Sequence, residues 1–432
     1  MKKTIAIFLC FITIMSLFTM NLSVLATFYE NENNNTRATA MEISVDEEAI
    51  GMINYEDDID WYKISIPVSC RFVVTRSSNK YLDMNLYRTL SDGTVVHEQE
   101  SYGNYIYSVN SGNTVYYISV ESSYSSFDYE LKVEVTDTSS NYYEKENNDY
   151  RDSADQIGVF AEVTGIINVE DDIDWYKVTI PVSGKFSVTR SSNKYLEMKL
   201  YRVLPNGTIS LENETYGNTI QYINSGSAEY YISVTSSYES FYYTINVSCD
   251  IPTPSSFKAK QTTNSIKLNW SRVSGITGYV LYRYSPNSKK YTKIANLGSK
   301  TTSYSITGLK AGKEYTYAIR SCYKANGKIH YSDYKYLTTA TKPNAPAIKS
   351  ISTGNRKVTL SWKKCAGAQY YQVYMSQNYT GKYKRIATTD ARKIVKKGLS
   401  KNQTYYFKVR SYKVFDGGRV YSAFSDICNA HV

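Results

Sequence analysis

The chain has 432 residues, including 45 Tyr, 22 Gly, 8 Pro and 6 Cys, and a formal net charge of +10; abundant Tyr, Ser and Thr without long helical periodicity indicate an all-β composition, and the length provides for two to four domains. The net charge conceals a division, because residues 28–250 carry 35 acidic and 15 basic side chains (net −20) whereas residues 251–432 carry 5 and 33 (net +28). Only His97, His330 and His431 occur, and with no Gly-x-Ser-x-Gly elbow, His-Glu-x-x-His helix or phosphate-cradling Gly loop, the usual hydrolase and nucleotide-dependent chemistries have no residues to run on.

Met1-Lys2-Lys3 stands before an apolar run from Thr4 to Phe18, and Val24-Leu25-Ala26 supplies the small residues of a cleavage site. Residues 1–26 therefore read as a signal peptide, and the mature chain is expected to be secreted, extracellular or loosely cell-wall-associated. No later apolar stretch approaches the roughly 20 residues of a membrane span. Five cysteines remain, Cys70, Cys249, Cys322, Cys365 and Cys428. An odd, scattered set argues against a disulfide framework and leaves Cys365 and Cys428 as the one pair whose spacing permits a bond.

The next 220 residues or so are one module written twice. Tyr29-Glu30-Asn31-Glu32-Asn33-Asn34 and Asp57-Asp58-Ile59-Asp60-Trp61-Tyr62 recur 114 residues later as Tyr143-Glu144-Lys145-Glu146-Asn147-Asn148 and Asp171-Asp172-Ile173-Asp174-Trp175-Tyr176. Two modules follow, 27–138 and 139–250. Within each, apolar residues alternate as in half-buried strands: Tyr62, Ile64 and Ile66; Leu82, Met84 and Leu86; Tyr116, Ile118 and Val120; Tyr129, Leu131 and Val133. Turn signals such as Ser91-Asp92-Gly93 and Asn110-Ser111-Gly112 separate these runs, so each copy reads as a sandwich of about eight strands. Hard oxygen donors converge twice, and calcium takes six to eight oxygens from carboxylates, amides, backbone and water. Two calcium sites are the reading this pattern favours, against a merely solvated acidic linker.

The Glu-x-Glu-x-Asn and Asp-x-x-Asp-Trp-Tyr motifs and the late Tyr-Tyr-Ile-x-Val strand resemble the bacterial pre-peptidase C-terminal domain, whose relatives include the collagen-binding domains of clostridial collagenases. The resemblance implies calcium ligands at Glu30, Glu32, Asn34, Asp57 and Asp60 in the first copy, and at Glu144, Glu146, Asn148, Asp149, Asp171 and Asp174 in the second. Asn35 occupies the position of Asp149, so the first site is expected to be the weaker or more selective of the two, since affinity follows ligand charge and rigidity. Asp58 and Asp172 lie between ligands and are expected to point away. Trp61 and Trp175 either cap the metal loops or stand as platforms, and capping suits a residue that is highly buried on average.

From Pro252 the texture becomes basic and again repeats. Ser265-Ile266-Lys267-Leu268-Asn269-Trp270 matches Lys357-Val358-Thr359-Leu360-Ser361-Trp362, and Leu309 precedes Tyr315 as Leu399 precedes Tyr405. A strand with a core Trp and a Leu-then-Tyr corner resemble fibronectin type III domains, here at 251–342 and 343–432, with Trp270, Trp362, Tyr315 and Tyr405 as core residues. The expected architecture is all-β, four tandem sandwiches after the signal peptide.

These observations point to a monomeric, non-catalytic binding protein that docks on an extracellular polymer: a polysaccharide, a collagen-like protein or an anionic wall polymer. Outward tyrosines Tyr87, Tyr117, Tyr201 and Tyr231 are candidates for the binding face. The alternatives are a cell-wall spacer or scaffold and an accessory subunit of a secreted hydrolase. A nucleic-acid partner is not expected, because the basic residues are dispersed and the chain reads as exported.

Overall fold

The computed structural model describes residues 27–432 apart from 56, 79, 125, 140–141, 147, 169–171, 192–194 and 239–240; the signal-peptide assignment lies outside the described residues. The chain is all-β, and its described helical turns are the single 3-10 turns Arg37–Thr39 and Arg151–Ser153. Two compact units are distinguished, one comprising the chain up to Val178 with Val188–Ile220 and Tyr230–Val247, the other Thr179–Ser187, Gln221–Glu229 and Ser248–Val432.

In the first copy ten strands occur: β1 Thr27–Tyr29, β2 Met41–Ile43, β3 Glu48–Ile53, β4 Ile59–Ile66, β5 Cys70–Ser77, β6 Asp83–Thr89, β7 Val95–Ser101, β8 Tyr105–Asn110, β9 Thr114–Glu121 and β10 Phe127–Asp137. They build two five-stranded sheets, in the orders β1-β3-β10-β5-β8 and β2-β4-β9-β6-β7. Short β1 and β2 join in parallel to β3 and β4, which explains why ten strands stand where alternation marks about eight: three-residue pairings are too short to show a period. The second copy repeats the two five-stranded sheets.

The alternating residues face inward. Tyr62, Ile64, Ile66, Leu82, Met84, Leu86, Tyr116, Ile118, Val120, Tyr129, Leu131 and Val133 are all buried in one cluster, each large aliphatic side chain contributing about 1.5–3 kcal/mol. Polar partners on the same strands, Asp60 among them, are drawn inside with that face.

Two further sandwiches follow, each pairing a three-stranded with a larger sheet. Trp270 and Trp362 are buried, edge-on to Tyr279 and Tyr371 at 5.6 and 5.3 Å. Buried Tyr315 and Tyr405 accept hydrogen bonds from the backbone N–H of Lys310 (3.1 Å) and Ser400 (3.0 Å), the corner geometry their spacing anticipates. All five cysteines are free thiols, Cys365 and Cys428 included.

Candidate functional site

In each duplicated module the N-terminal segment is clamped to the Trp-bearing strand. The N–H of Trp61 donates to the Asn34 carbonyl and that of Trp175 to the Asn148 carbonyl, both at 2.9 Å. The Asn34 and Asn148 side chains are 1% and 0% exposed, and Asp60 and Asp174 are fully buried. Because side chains alternate along a strand, an Asp two residues before a core Tyr must share the inner face with it.

Around Asp60, Glu30 Oε2 accepts from Tyr62 (3.0 Å) and from the Asn34 amide (3.2 Å), while Glu30 Oε1 accepts from the N–H of Met52. The Tyr129 hydroxyl bridges Tyr62 and Asp60 Oδ2, 2.7 Å from each. The second copy reproduces the relay: Glu144 accepts from Tyr176 and, at 3.3 Å, from Tyr243, and Tyr243 donates to Asp174 Oδ2. Room for the bridging tyrosine comes from a glycine on the neighbouring strand. A Cβ at Gly51 would lie 2.2 Å from Tyr129 Cζ, and one at Gly165 2.4 Å from Tyr243 Cζ and 2.5 Å from Glu144 Oε2.

What these networks leave unpaired is the informative part. Asn34 Oδ1, Asp58 Oδ1 and Asp60 Oδ1 in the first copy, and Asn148 Oδ1, Asn168 Oδ1 and Asp174 Oδ1 in the second, are buried without a hydrogen-bond partner. The Asn34/Asn148 and Asp60/Asp174 orphans sit at equivalent positions. A buried unpaired carbonyl or carboxylate oxygen costs about 1–3 kcal/mol or more, and the Asn148 amide Nδ2 is unpaired as well. Burial, opposed by the Tyr129 hydrogen bond and reinforced by the charges of Glu30 and Asp58, pushes Asp60 up to about 8. Burial likewise raises Glu30, and lifts Glu144, Glu146 and Asp174 well above the carboxylate range; mutual repulsion reinforces the shift of Asp174. An all-oxygen donor set of this kind suits a hard divalent cation. Among the described residues no three His, Cys, Asp or Glu side chains form a closed ligand cluster.

The expected ligands do not all converge. Glu30, bonded to Asn34, and Asp60 share one network through Tyr62 and Tyr129, as Glu144 and Asp174 do through Tyr243, and Glu146 and Asn148 are buried, whereas Glu32, Asp57 and Asp149 are exposed and Asp171 lies outside the described residues. Asp57 adopts φ 63° at the turn, which presents the next residue inward. Asp58 and Asp172, expected to point away, are buried and accept from the N–H of Asn54 (2.9 Å) and Asn168 (2.8 Å). Asn168, Asp58, Asp172, the bridging tyrosines and the two glycines are members that sequence reasoning missed; the available signal was Gly51 and Gly165 recurring inside otherwise apolar strands. The Trp rings serve on the outer face, Trp61 packing on Tyr87 and Trp175 on Tyr201 at 5.1 and 5.2 Å. Tyr117 and Tyr231 lie on the same faces, with Arg37 and Lys177 over their rings at 6.0 and 5.5 Å.

The second site has an extra tie. Asn168 donates its side-chain amide to Glu146, and its backbone carbonyl accepts at 3.0 Å from the Gln99 side chain of the first copy. The first copy also lends Tyr242 two acceptors, the carbonyls of Phe72 (2.9 Å) and Ser108 (3.1 Å).

Comparison with known proteins bears on the basic half. Residues 251–335 match the fibronectin type III domain. A Kelch domain-containing protein of Saccharolobus solfataricus is 35% identical over 98 residues, 23% of this chain and 13% of that protein. Exoglucanase B of Cellulomonas fimi is 28% identical over 170 residues, 35% of this chain and 14% of that enzyme. The chain thus spans a small fraction of the length of both relatives. A two-domain fibronectin type III segment from chicken tenascin covers 42% of this chain and 100% of its own at 21% identity, with a TM-score of 0.28. The likeness of the duplicated modules to pre-peptidase C-terminal domains rests on their motifs, while residues 251–335 are a fibronectin type III domain.

Proposed function

We propose that the chain is a secreted, non-catalytic binding protein whose duplicated modules each hold a calcium ion and which docks on an extracellular polymer. The observation that carries the metal is the pair of recurring buried orphan oxygens, Asn34/Asn148 and Asp60/Asp174. Bound there, calcium would neutralise carboxylates that otherwise repel one another, and its chemistry is structural: it would pin the N-terminal segment through Asn34 and Asn148 to the strand bearing Asp60 and Asp174. The tyrosines that donate to Glu30 and Glu144 hold those carboxylates in place. Docking is assigned to the outer faces carrying Tyr87, Tyr117, Tyr201 and Tyr231, and to the basic half, where 33 basic residues face 5 acidic ones and attract polyanions. No transmembrane anchor is invoked, and among the described residues no helix is long and apolar enough to cross a membrane.

A second reading, an accessory subunit of a secreted polysaccharide hydrolase, is favoured by the partial likeness to exoglucanase B. Pull-down of the mature chain on cellulose, chitin, collagen and purified cell walls, with and without chelator, tests both. Calcium-dependent retention on cell walls or collagen with no release of soluble product supports a docking protein. Retention confined to cellulose or chitin favours the accessory reading. Loss of retention on every matrix refutes polymer docking.

A further inference from the structure

The C-terminal sandwich carries a cationic hollow at the end of its three-stranded sheet. It measures about 720 Å³ and is lined by Lys349, Lys363, Lys364, Arg392 and Lys393, with Ser361 and Trp362. Three adjacent strands, Ile348–Gly354, Lys357–Trp362 and Lys393–Lys397, bring these residues together at one end of a sheet. Backbone hydrogen bonds fix the arrangement: the N–H of Trp362 donates to the Arg392 carbonyl at 3.0 Å, and that of Lys363 to the Ala347 carbonyl at 2.9 Å. Ser361 is paired across the sheet with Lys393.

Lys349 occupies a register shift between Ile348 and Ser350, the extra residue against Trp362 and Ser361. A bulge re-aims a side chain and recurs next to binding sites. The corresponding ladder of the preceding domain, Phe257–Gln261 against Ile266–Trp270, runs without interruption. There, Thr302 makes the carbonyl contact to the core Trp that Arg392 makes here, Ser303 pairs with Asn269 as Lys393 pairs with Ser361, and Ser271 follows the Trp where Lys363 does in the last domain. The preceding domain is therefore built without the bulge and with neutral residues in place of Lys363, Arg392 and Lys393, although Arg272 stands where Lys364 does and Lys258 lies on the strand that corresponds to Lys349's. Five cations within one hollow repel each other, and among the described residues no ion pair involves any of them.

We propose that this hollow is a phosphate-binding site for a polyol-phosphate polymer, an inference that rests on the polymer-docking reading and gives it an address. Four of the five cations are lysines, compact point charges that surround a tetrahedral phosphate from several sides, whereas a planar carboxylate is met best by the arginine fork. Single-stranded nucleic acid shares the phosphodiester but is held through aromatic faces on which its bases stack. The one aromatic here, Trp362, is 2% exposed and offers none. A chain of phosphates joined by small polyols fits the hollow without requiring such a platform.

The test is titration of the mature chain with poly(glycerol phosphate) at about 0.15 M salt, where screening falls off over roughly 8 Å. Lys349→Gln combined with Arg392→Gln is compared with Lys258→Gln combined with Lys267→Gln, which removes the same charge from exposed positions of the preceding domain. The first variant is expected to weaken binding at least tenfold and the second less than twofold, with melting temperatures unchanged in both. Equal weakening by the two variants overturns the site while leaving dispersed electrostatic docking standing. Tighter binding to single-stranded DNA of equal phosphate number, or to polyuronate of equal charge, overturns the ligand class. Absence of wild-type binding to the phosphate polymer alongside retention on cell walls overturns the site alone, and absence of both overturns the docking reading as well.

Discussion

Chelation of the mature chain at pH 7 is expected to lower the melting temperature of the duplicated modules by about 10–20 °C. Calcium would bind only where folding brings Asn34 to Asp60 and Asn148 to Asp174, so it stabilises by mass action, by about 2.7 kcal/mol at a hundredfold excess over its dissociation constant. For domains of about 100 residues each kcal/mol moves the midpoint by about 4–8 °C. A pH signature accompanies the shift. In the metal-free fold Asp60 stands at about 8 against 3.8 when unfolded, and Asp172 at about 6, both raised chiefly by burial. A carboxyl whose folded value is raised contributes stability below its unfolded value and loses it as pH climbs through the folded one. Chelated protein should therefore become progressively less stable from about pH 4 to pH 8, whereas the calcium-loaded protein gains over the same window because its ligands bind as carboxylates. Calorimetric melts at pH 5, 6, 7 and 8, with calcium and with chelator, check both parts. Superimposable curves at pH 7, or a chelated protein that is most stable at pH 8, would refute the reasoning.

Gly165→Ala should destabilise the second module by about 1–3 kcal/mol or more, the cost of overpacking, because its Cβ falls on Tyr243 and Glu144 Oε2; calcium affinity measured by titration should fall with it, and a neutral outcome would mean that the tyrosine bridge does not hold the site. Gln99→Ala removes one inter-module hydrogen bond, worth about 1 kcal/mol, and should lower calcium affinity at the second site with little effect on the first; titration of single-site variants in the Gln99→Ala background separates the two, and equal loss at both sites would sink the coupling.

The strand faces were legible because each core run is long enough to show its period. Tyr62, Ile64 and Ile66 alternate over a strand of eight residues, and the tyrosine corners announce themselves by spacing alone. The buried polar cluster was legible only in part. Motif reasoning marks which residue types are present but not which of two neighbouring aspartates turns inward, and that choice is made by backbone: Asp57 takes φ 63°, so Asp58 is the one whose carboxylate caps the Asn54 N–H. The bridging tyrosines were read as plain core, since a buried hydroxyl and a buried ring leave the same alternation in the sequence. Nothing local distinguishes Tyr129, which reaches Asp60, from Tyr116, whose hydroxyl faces the Val109 carbonyl and Asn110 at 3.3 Å.

The inequality between the two sites has the same origin in three-dimensional context. Sequence places it at Asn35 against Asp149, yet Asp149 is exposed, and the larger contrast is that Glu32 is exposed while Glu146 is 8% exposed. Both glutamates occupy the same motif position. What differs is the neighbour: Glu146 shares a cleft with Arg88 of the first copy, feels the charges of Glu98 and Arg88, and is held through Asn168 to Gln99. A duplication thus yields two unlike sites from one motif, because each copy's N-terminal segment meets whatever stands before it, and the second meets the first. On the proposed calcium reading, the tie through Asn168 would make docking of the modules and filling of the second site parts of one equilibrium: whatever orders Glu146 and Asn168 for the metal would also order the surface that Gln99 grips, so each should strengthen the other by the same factor.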